Sequence, residues 1–264
     1  MSRLALGTHY RRLGIAFVLF GLSLSTSSFL IQVPLFTGLG LANFLIGLLL
    51  IYVPTERVVS QELVSAFCLS SLVNLNSLLE ELGLDSEAVY LPANEETHQP
   101  RAFLPLTWSH DSPSTPLKDF EATIFVLNNE DAHRSGLLLV PPGSSLMTLV
   151  EQESEIDFYN ITLDELEDAL KIGLVQALEI AKDVRVNFAG ASVLIEVGPL
   201  VSEEFCQAQS KVAPNLCSQV GCPLCSAVIC ATTKVAKRPV SVVKISSMQG
   251  RTINIELRLL EEVR

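Results

Sequence analysis

Between Arg12 and Glu56 the chain carries no charged side chain, and this apolar run divides at "IQVPLFTG" into two stretches, 13–33 and 35–53. Each is close to the roughly 20 residues that a helix needs to cross a bilayer's hydrocarbon, so two transmembrane helices are expected. Pro34 and Gly38 fit a tight reversal between them, which makes the pair an antiparallel hairpin. Gly14, Gly21, Ser25 and Ser28 fall near one face of the first helix, and Gly40, Asn43 and Gly47 near one face of the second. Small residues placed this way let two backbones approach closely and leave room for one interhelical hydrogen bond. The rival for the first stretch is a cleaved signal peptide, but the apolar run is longer than a usual signal core and no A-x-A-like site follows it.

After Pro54 the period changes. Val64, Cys68, Leu72, Leu75, Leu79 and Leu82 recur at helical spacing within Val58–Leu82, and Gly83 supplies a stop, so a helix leads out of the anchor. Residues 85–135 alternate short apolar runs, "AVYL", "RAFLPL" and "ATIFVL", with loops rich in Pro, Ser and Asp, which reads as a small sheet. "GLLLVPPGSSLMTLVEQ" then reads as a strand, a Pro-Pro-Gly turn and a short helix.

The last hundred residues are the most regular. "TLDE" at Thr162 is a capping box that opens a helix through about Ala181, with Leu163, Leu166, Leu170, Leu174 and Ala177 inward. Val184, Val186 and Phe188 alternate with polar neighbours, Ala189-Gly190 turns the chain, and Val193, Ile195 and Val197 alternate again. The pattern recurs as a helix from "GCPLC" to about Ala236, a strand "PVSVVKI", a turn near Gly250, and a strand holding Ile253, Ile255, Leu257 and Leu259. Two helix–strand–strand units can pair their hairpins into a four-stranded antiparallel sheet with both helices on one face. The expected architecture is therefore α+β. A membrane anchor occupies 1–57, a helix with an irregular β region 58–158, and an αββαββ domain 159–264, with a cysteine-rich connection at 205–230.

Charge refines this picture. Residues 1–57 hold four basic residues and one acidic residue, which leaves 14 basic and 28 acidic residues beyond them. So acidic a body excludes nucleic acid as a partner. The last segment, Thr232–Arg264, is mildly basic, with seven basic and three acidic residues. Arg3, Arg11 and Arg12 precede the first span and Arg57 follows the second, so both ends are expected on the cytoplasmic side of the cell membrane in a multi-pass arrangement. The sequon at Asn160 would then go unused.

Five of the six cysteines lie between Cys206 and Cys230, in the connection between the two units, and a reducing compartment favours metal ligation or working thiols over disulfides. If a helix starts at Cys222, Cys230 lies about 12 Å along it at ~1.5 Å per residue, too far to share one ion. A tetrahedral site would then use Cys206, Cys217, Cys222 and Cys225, a set that suits zinc or an iron–sulfur cluster. Cys217, Cys222 and Cys225 have the C-x4-C-x2-C spacing found in plant-type ferredoxins. "CPLC" alone resembles the dithiol of glutaredoxin-like sites, where a thiol at a helix N-cap has a lowered pKa. However, no strand precedes it as a thioredoxin fold requires. A purely structural role for all five cysteines is the remaining alternative.

Other chemistry is sparse. His98, His110 and His133 lie in polar loops, and "SHDS" at Ser109–Ser112 sets Ser, His and Asp side by side, which does not build a triad. No Walker loop, G-x-S-x-G or H-E-x-x-H occurs, and the carboxylates of "EQESEID" and "DELED" read as solvated faces. Two classes follow. One is a membrane-anchored interaction or accessory module, with a bilayer and a protein partner or second copy as its contacts. The other is a membrane-tethered redox or electron-transfer protein using a cluster or the Cys222/Cys225 dithiol.

Overall fold

A computed structural model describes residues 4–31, 34–52, 61–93, 99–106, 125–126, 135–201, 203–248 and 251–261. The chain forms two compact units, Met1–Ser60 and Gln61–Arg264.

The first unit is a pair of helices, α1 (Leu4–Ile31) and α2 (Pro34–Tyr52). Helix α1 starts at Leu4 rather than near Leu13, carrying Arg11 and Arg12 within its first turns. The helices run antiparallel and meet along the expected small residues, with Gly14 against Gly47 and Gly21 against Gly40. The approach is so close that a Cβ on Gly21 would lie 2.6 Å from the Gly40 carbonyl oxygen, and one on Gly47 2.7 Å from that of Gly14. Ser25 belongs to the same seam through Gly40; the side chain of Ser28 lies outside the described residues. Asn43 Nδ2 donates to Leu39 O of its own helix at 2.8 Å.

Among the described residues, the one helical stretch long and apolar enough to cross a membrane is Pro214–Ala236, and 83% of its apolar 18-residue window is buried, as in a core helix. Leu13–Ser27 and Thr37–Tyr52 are shorter apolar helical stretches.

The second unit is mixed α/β. Helix α3 (Gln61–Glu81) is followed by strands β1 (Val89–Leu91), β2 (Arg101–Pro105), β3 (Phe125–Val126) and β4 (Gly136–Leu139), then helix α4 (Ser144–Ser154). After α5 (Leu166–Leu170) come β5 (Val184–Ala189) and β6 (Ser192–Val197). Helices α6 (Glu203–Val212), α7 (Pro214–Gln219) and α8 (Pro223–Ala236) then precede β7 (Val240–Met248) and β8 (Thr252–Leu259). All eight strands form one antiparallel sheet in the order β3-β4-β2-β1-β7-β8-β6-β5.

The two hairpins β5–β6 and β7–β8 join through β6 and β8, with Ile195 opposite Ile255, as the alternating residues predict. Val193, Ile195, Val197, Ile253, Ile255 and Leu257 are buried on the helix-covered face. The short runs before residue 140 do not make a separate small sheet. They extend this one, because Val89 and Tyr90 of β1 pair with Ser241 and Val240 of β7. Residues on both sides of position 158 thus contribute to a single sheet.

Local departures from expectation have local causes. The helix opened by Thr162 does form its capping contact, Thr162 N to Glu165 Oε2 at 2.8 Å, and this contact holds the Glu165 carboxyl below its ordinary range. Beyond Leu170, however, the helix widens into a π-helical stretch, Lys171–Ala177, and ends short of Ala181. Gly173 lies directly against the Val150 side chain there, so α4 packs where a larger residue could not fit. The hairpin turn centres on Gly190-Ala191, since Ala189 pairs with Ser192, and Gly190 takes the left-handed φ of +64° that such a turn requires. Phe188 is exposed instead of inward, lying near the tip of the edge strand. Leu82 is likewise exposed, after Leu72 and Leu79 have entered the core.

The expected solvated carboxylates are partly structural. Glu167 accepts from Lys171 Nζ at 2.6 Å and from Val186 N at 2.8 Å, which covers one donor of the edge strand β5. The Lys171 hydrogen bond, then the Val186 bond, hold its carboxyl below the usual range. A carboxyl lowered on folding stabilises above its unfolded pKa and ceases to do so as pH falls through the folded value. Glu167→Gln should therefore cost roughly 0.5–1 kcal/mol at neutral pH, discounted for its partial exposure. In urea titrations the difference from wild type should shrink on acidification below the ordinary Glu range.

The continuity of the sheet makes a second expectation. The unit Gln61–Arg264 expressed alone should unfold in one transition. The fragment Asn160–Arg264 should not fold, because it strips β1 from β7 and α4 from α8. A fragment with a cooperative transition matching the longer unit would disprove this.

Candidate thiol site

The four expected ligands are carried by three consecutive helices. Cys206 lies on α6, Cys217 on α7, and Cys222 and Cys225 at the N-cap and third residue of α8. The chain breaks between α6 and α7 because Pro214 takes the first position of α7. It reverses again at Gly221, whose φ of +93° is left-handed. Both Val220 N and Gly221 N donate to Leu216 O at 2.9 Å, closing α7 in a tight C-terminal turn. A side chain at Gly221 would also crowd Cys225, since its Cβ would lie 3.1 Å from that of Cys225. This reversal turns Cys217 back toward Cys222.

The sulfurs gather around Cys222. Its thiol donates to Cys225 Sγ at 3.5 Å, and Cys206 lies close enough for each of the two thiols to shift the other's pKa. Cys217 is close enough to Cys206 and Cys222 to feel both electrostatically. Cys222 and Cys225 are buried, whereas Cys206 and Cys217 are half-buried, and all are free thiols. Cys230 is fully buried and stands apart. With Lys234, Glu151, Ser144 and Thr148 it lines a small cavity of about 220 Å³ between α4 and α8. The side chain of Cys68 lies outside the described residues, as do His98, His110 and His133.

The thiols are hard to ionise. Polar interaction with the neighbouring Cys222 thiol raises the Cys206 pKa, and burial adds to this. Burial, then the Cys222 and Cys206 sulfurs, push Cys217 up to about 12. For Cys222 the interaction with Cys206 lowers the pKa, but the bond to Cys225, burial and the Cys225 sulfur together outweigh it, and the net shift is upward. Burial raises Cys230 to about 12. The lowered thiol expected for "CPLC" at a helix start is thus not found; crowded neighbouring sulfurs and burial overcome the helix terminus. These groups stay protonated near neutral pH unless a cation replaces the protons. Among the described residues, no group of three or more His, Cys, Asp or Glu side chains is already arranged to hold a metal ion.

Two features near the cluster were not legible in the sequence. Tyr90, fully buried, donates its hydroxyl to Val220 O at 2.6 Å and is paired with Ser226 Oγ at 2.9 Å. Ser226 Oγ in turn accepts from Gly143 N at 3.0 Å. One tyrosine on β1 thereby fixes the α7–α8 junction beneath the thiols and ties it to the Pro-Pro-Gly turn. Burial, then the nearby Cys230, keep that phenol protonated. The second feature is Gln209, one turn beyond Cys206 on α6, which is completely buried while neither its Nε2 nor its Oε1 has a hydrogen-bond partner. A signal for Gln209 existed, an amide three residues from a candidate ligand on one helix, but nothing in the sequence marked it as buried.

The molecule is thus a paired-helix segment with an α+β domain that carries a thiol cluster at the start of its central helix. The chain belongs to a protein family, the domain of unknown function DUF7982, whose model matches residues 2–252, nearly all of the first unit and the second as far as the start of β8. No curated protein and no solved structure is significantly similar to it.

Tyr90→Phe removes the donor to Val220 O while keeping the ring, and should cost about 1–3 kcal/mol, the range for leaving a buried polar group unpaired. Its signature should be a lower urea midpoint together with faster alkylation of Cys217 and Cys222. Unchanged alkylation would show that Tyr90 does not hold the junction.

Proposed function

We propose that the protein is a membrane-anchored accessory module. The helix pair inserts as a hairpin, and the Gln61–Arg264 domain works on the cytoplasmic side as a surface for a protein partner or a second copy. The observation that carries this reading is the inverted pattern of the helix pair. Glycines line the helix–helix seam, while Leu19, Phe20, Leu41, Leu45 and Leu49 point outward and are exposed. Water would penalise that arrangement, whereas hydrocarbon favours it, because lipid tails solvate leucine and the helices gain only from close backbone packing. The arginines flanking both apolar runs support the cytoplasmic orientation. The acidic balance of the domain favours a basic or neutral partner surface over nucleic acid.

A tethered redox role draws on one specific observation, the 3.5 Å separation of the Cys222 and Cys225 sulfurs. It ranks second, because both thiols are buried and the Cys222 pKa is raised, which disfavours the thiolate that exchange chemistry uses.

The test is fractionation with topology mapping. The full chain should resist carbonate extraction and need detergent, while Gln61–Arg264 should remain in aqueous solution. A reporter active only on the cytoplasmic side should work when fused after Arg264, and one active only outside should not. Full-length protein released by carbonate would refute the anchor, and external reporter activity would refute the orientation.

A further inference from the structure

We propose that the cavity between α4 and α8 is a binding site for a small zwitterion of the α-amino acid class, held through its own carboxylate and ammonium by the Lys234–Glu151 pair. Neither the membrane anchor nor the thiols around Cys222 bear on this site.

Three elements wall the cavity. Helix α4 contributes Ser144, Thr148 and Glu151, α8 contributes Cys230 and Lys234, and exposed Gln99 stands just before β2. Ser144, Thr148 and Glu151 recur at i, i+4 and i+7, so they share one face of α4, the face turned toward α8. An amphipathic helix ordinarily places apolar residues on such an inward face. Lys234 stands in the last turn of α8, where the run of buried residues along that helix first breaks. The two helices thus bring polar side chains together at the one end of α8 that is not enclosed.

The charged pair has bonding capacity to spare. Lys234 Nζ lies 2.6 Å from Glu151 Oε1, with side-chain exposures of only 12% and 20%. Phe158 N donates to that same carboxylate oxygen at 3.3 Å. An ammonium has three donors and a carboxylate about four acceptor sites, so the contact between them uses little of either. Charges withdrawn this far from water are costly unless further polar partners complete them, and a cavity with polar walls does not stay dry. Its volume of about 220 Å³ is room for roughly seven waters at ~30 Å³ each, or for one small organic molecule. Pockets for drug-sized ligands begin at about 300 Å³, so nucleotides and larger cofactors are too bulky.

Charge selects the class of molecule. A simple anion approaching Lys234 meets the Glu151 carboxylate, and a simple cation approaching Glu151 meets the ammonium, so one like charge opposes entry in either case. A neutral molecule offers the pair little that the displaced waters do not. A zwitterion answers both charges, its carboxylate beside Lys234 and its ammonium beside Glu151. The Thr148 hydroxyl donates to Ser144 O at 3.1 Å, and its own oxygen keeps lone pairs for that ammonium. An α-amino acid carries the two groups on one carbon, matching charges that are themselves adjacent. Met147 and Cys230, also in the wall, give a short side chain an apolar surface.

The experiment uses the full chain in detergent, dialysed exhaustively and titrated calorimetrically at neutral pH with each standard α-amino acid in turn. The expected result is saturable binding of at least one compact member, one molecule per chain. Its N-acetyl derivative, which lacks the ammonium, and its primary amide, which lacks the carboxylate, should each bind roughly tenfold or more weakly, as expected when a hydrogen bond between charged groups is removed. Bound ligand should slow hydrogen exchange in α4 and in the last turn of α8. Glu151→Gln keeps an acceptor for Lys234 but not the negative charge, so this variant should bind the free and N-acetylated forms alike. Because it can fail to fold, the derivative series and the exchange map are measured on the wild-type chain and decide by themselves. No saturable binding by any amino acid would overturn the proposal, as would a derivative that binds as tightly as its parent. So would exchange protection that leaves α4 and the end of α8 unchanged, or a folded Glu151→Gln that still prefers the free ammonium.

Discussion

The second unit depends on one constraint, the burial of α8 on every side. Residues Leu224 to Thr233 are all buried, so sheet and helices must together enclose a cylinder that presents no face to water. Enclosure is tolerable only because each polar group on it is answered. Thr232 and Thr233 return their hydroxyls to Val228 O and Ile229 O, at 2.9 and 2.7 Å. Ser226 is held between Tyr90 and Gly143, and Lys234 meets Glu151 at 2.6 Å. A buried group left unpaired would cost on the order of 1–3 kcal/mol, a large share of a domain's net stability. Helix α4, the Pro-Pro-Gly turn and β1 are therefore not decoration on an αββαββ core. They supply the partners that let α8 be central.

This constraint also decides where chemistry can sit. The body of a fully enclosed helix is unreachable, but its first turn is where the chain arrives from outside, through two short helices broken by Pro214 and Gly221. The thiols of Cys222 and Cys225 are rigid because α8 is rigid, and those of Cys206 and Cys217 are not enclosed to the same degree.

What the sequence disclosed follows the range of each interaction. Alternation in β6 and β8, the Thr162 capping box and the Pro223 helix start are encoded within a few residues, and they stand where periodicity and end signals put them. Helical rise, likewise a local property, sets Cys230 well along α8 from Cys222. The pairing of β1 with β7 was not legible. It joins Val89 to Ser241 through a strand only three residues long, too short for any period to declare its partner. The total burial of α8 was hidden too, because its covering elements are remote in sequence and its apolar pattern fits a one-faced helix equally well. The raised Cys222 pKa was missed because a motif reports the helix terminus and not the sulfurs that fold back upon it.

The two units use the same residue types in opposite senses, and this explains a composition that looks contradictory. Mean hydropathy is positive, at +0.39, although the chain carries a net charge of −11. In Gln61–Arg264 leucine, isoleucine and valine are interior and the acidic residues face water, which is the order the hydrophobic effect imposes. In the helix pair glycine is interior and leucine faces out. Association there comes through close backbone contact, and that contact needs the Gly14–Gly47 and Gly21–Gly40 seams to stay free of side chains. Replacing Gly21 by leucine would leave the outward surface as apolar as before, yet it would push the two backbones apart. Stability thus rests on large residues inside in one unit, and on the absence of them at the seam in the other.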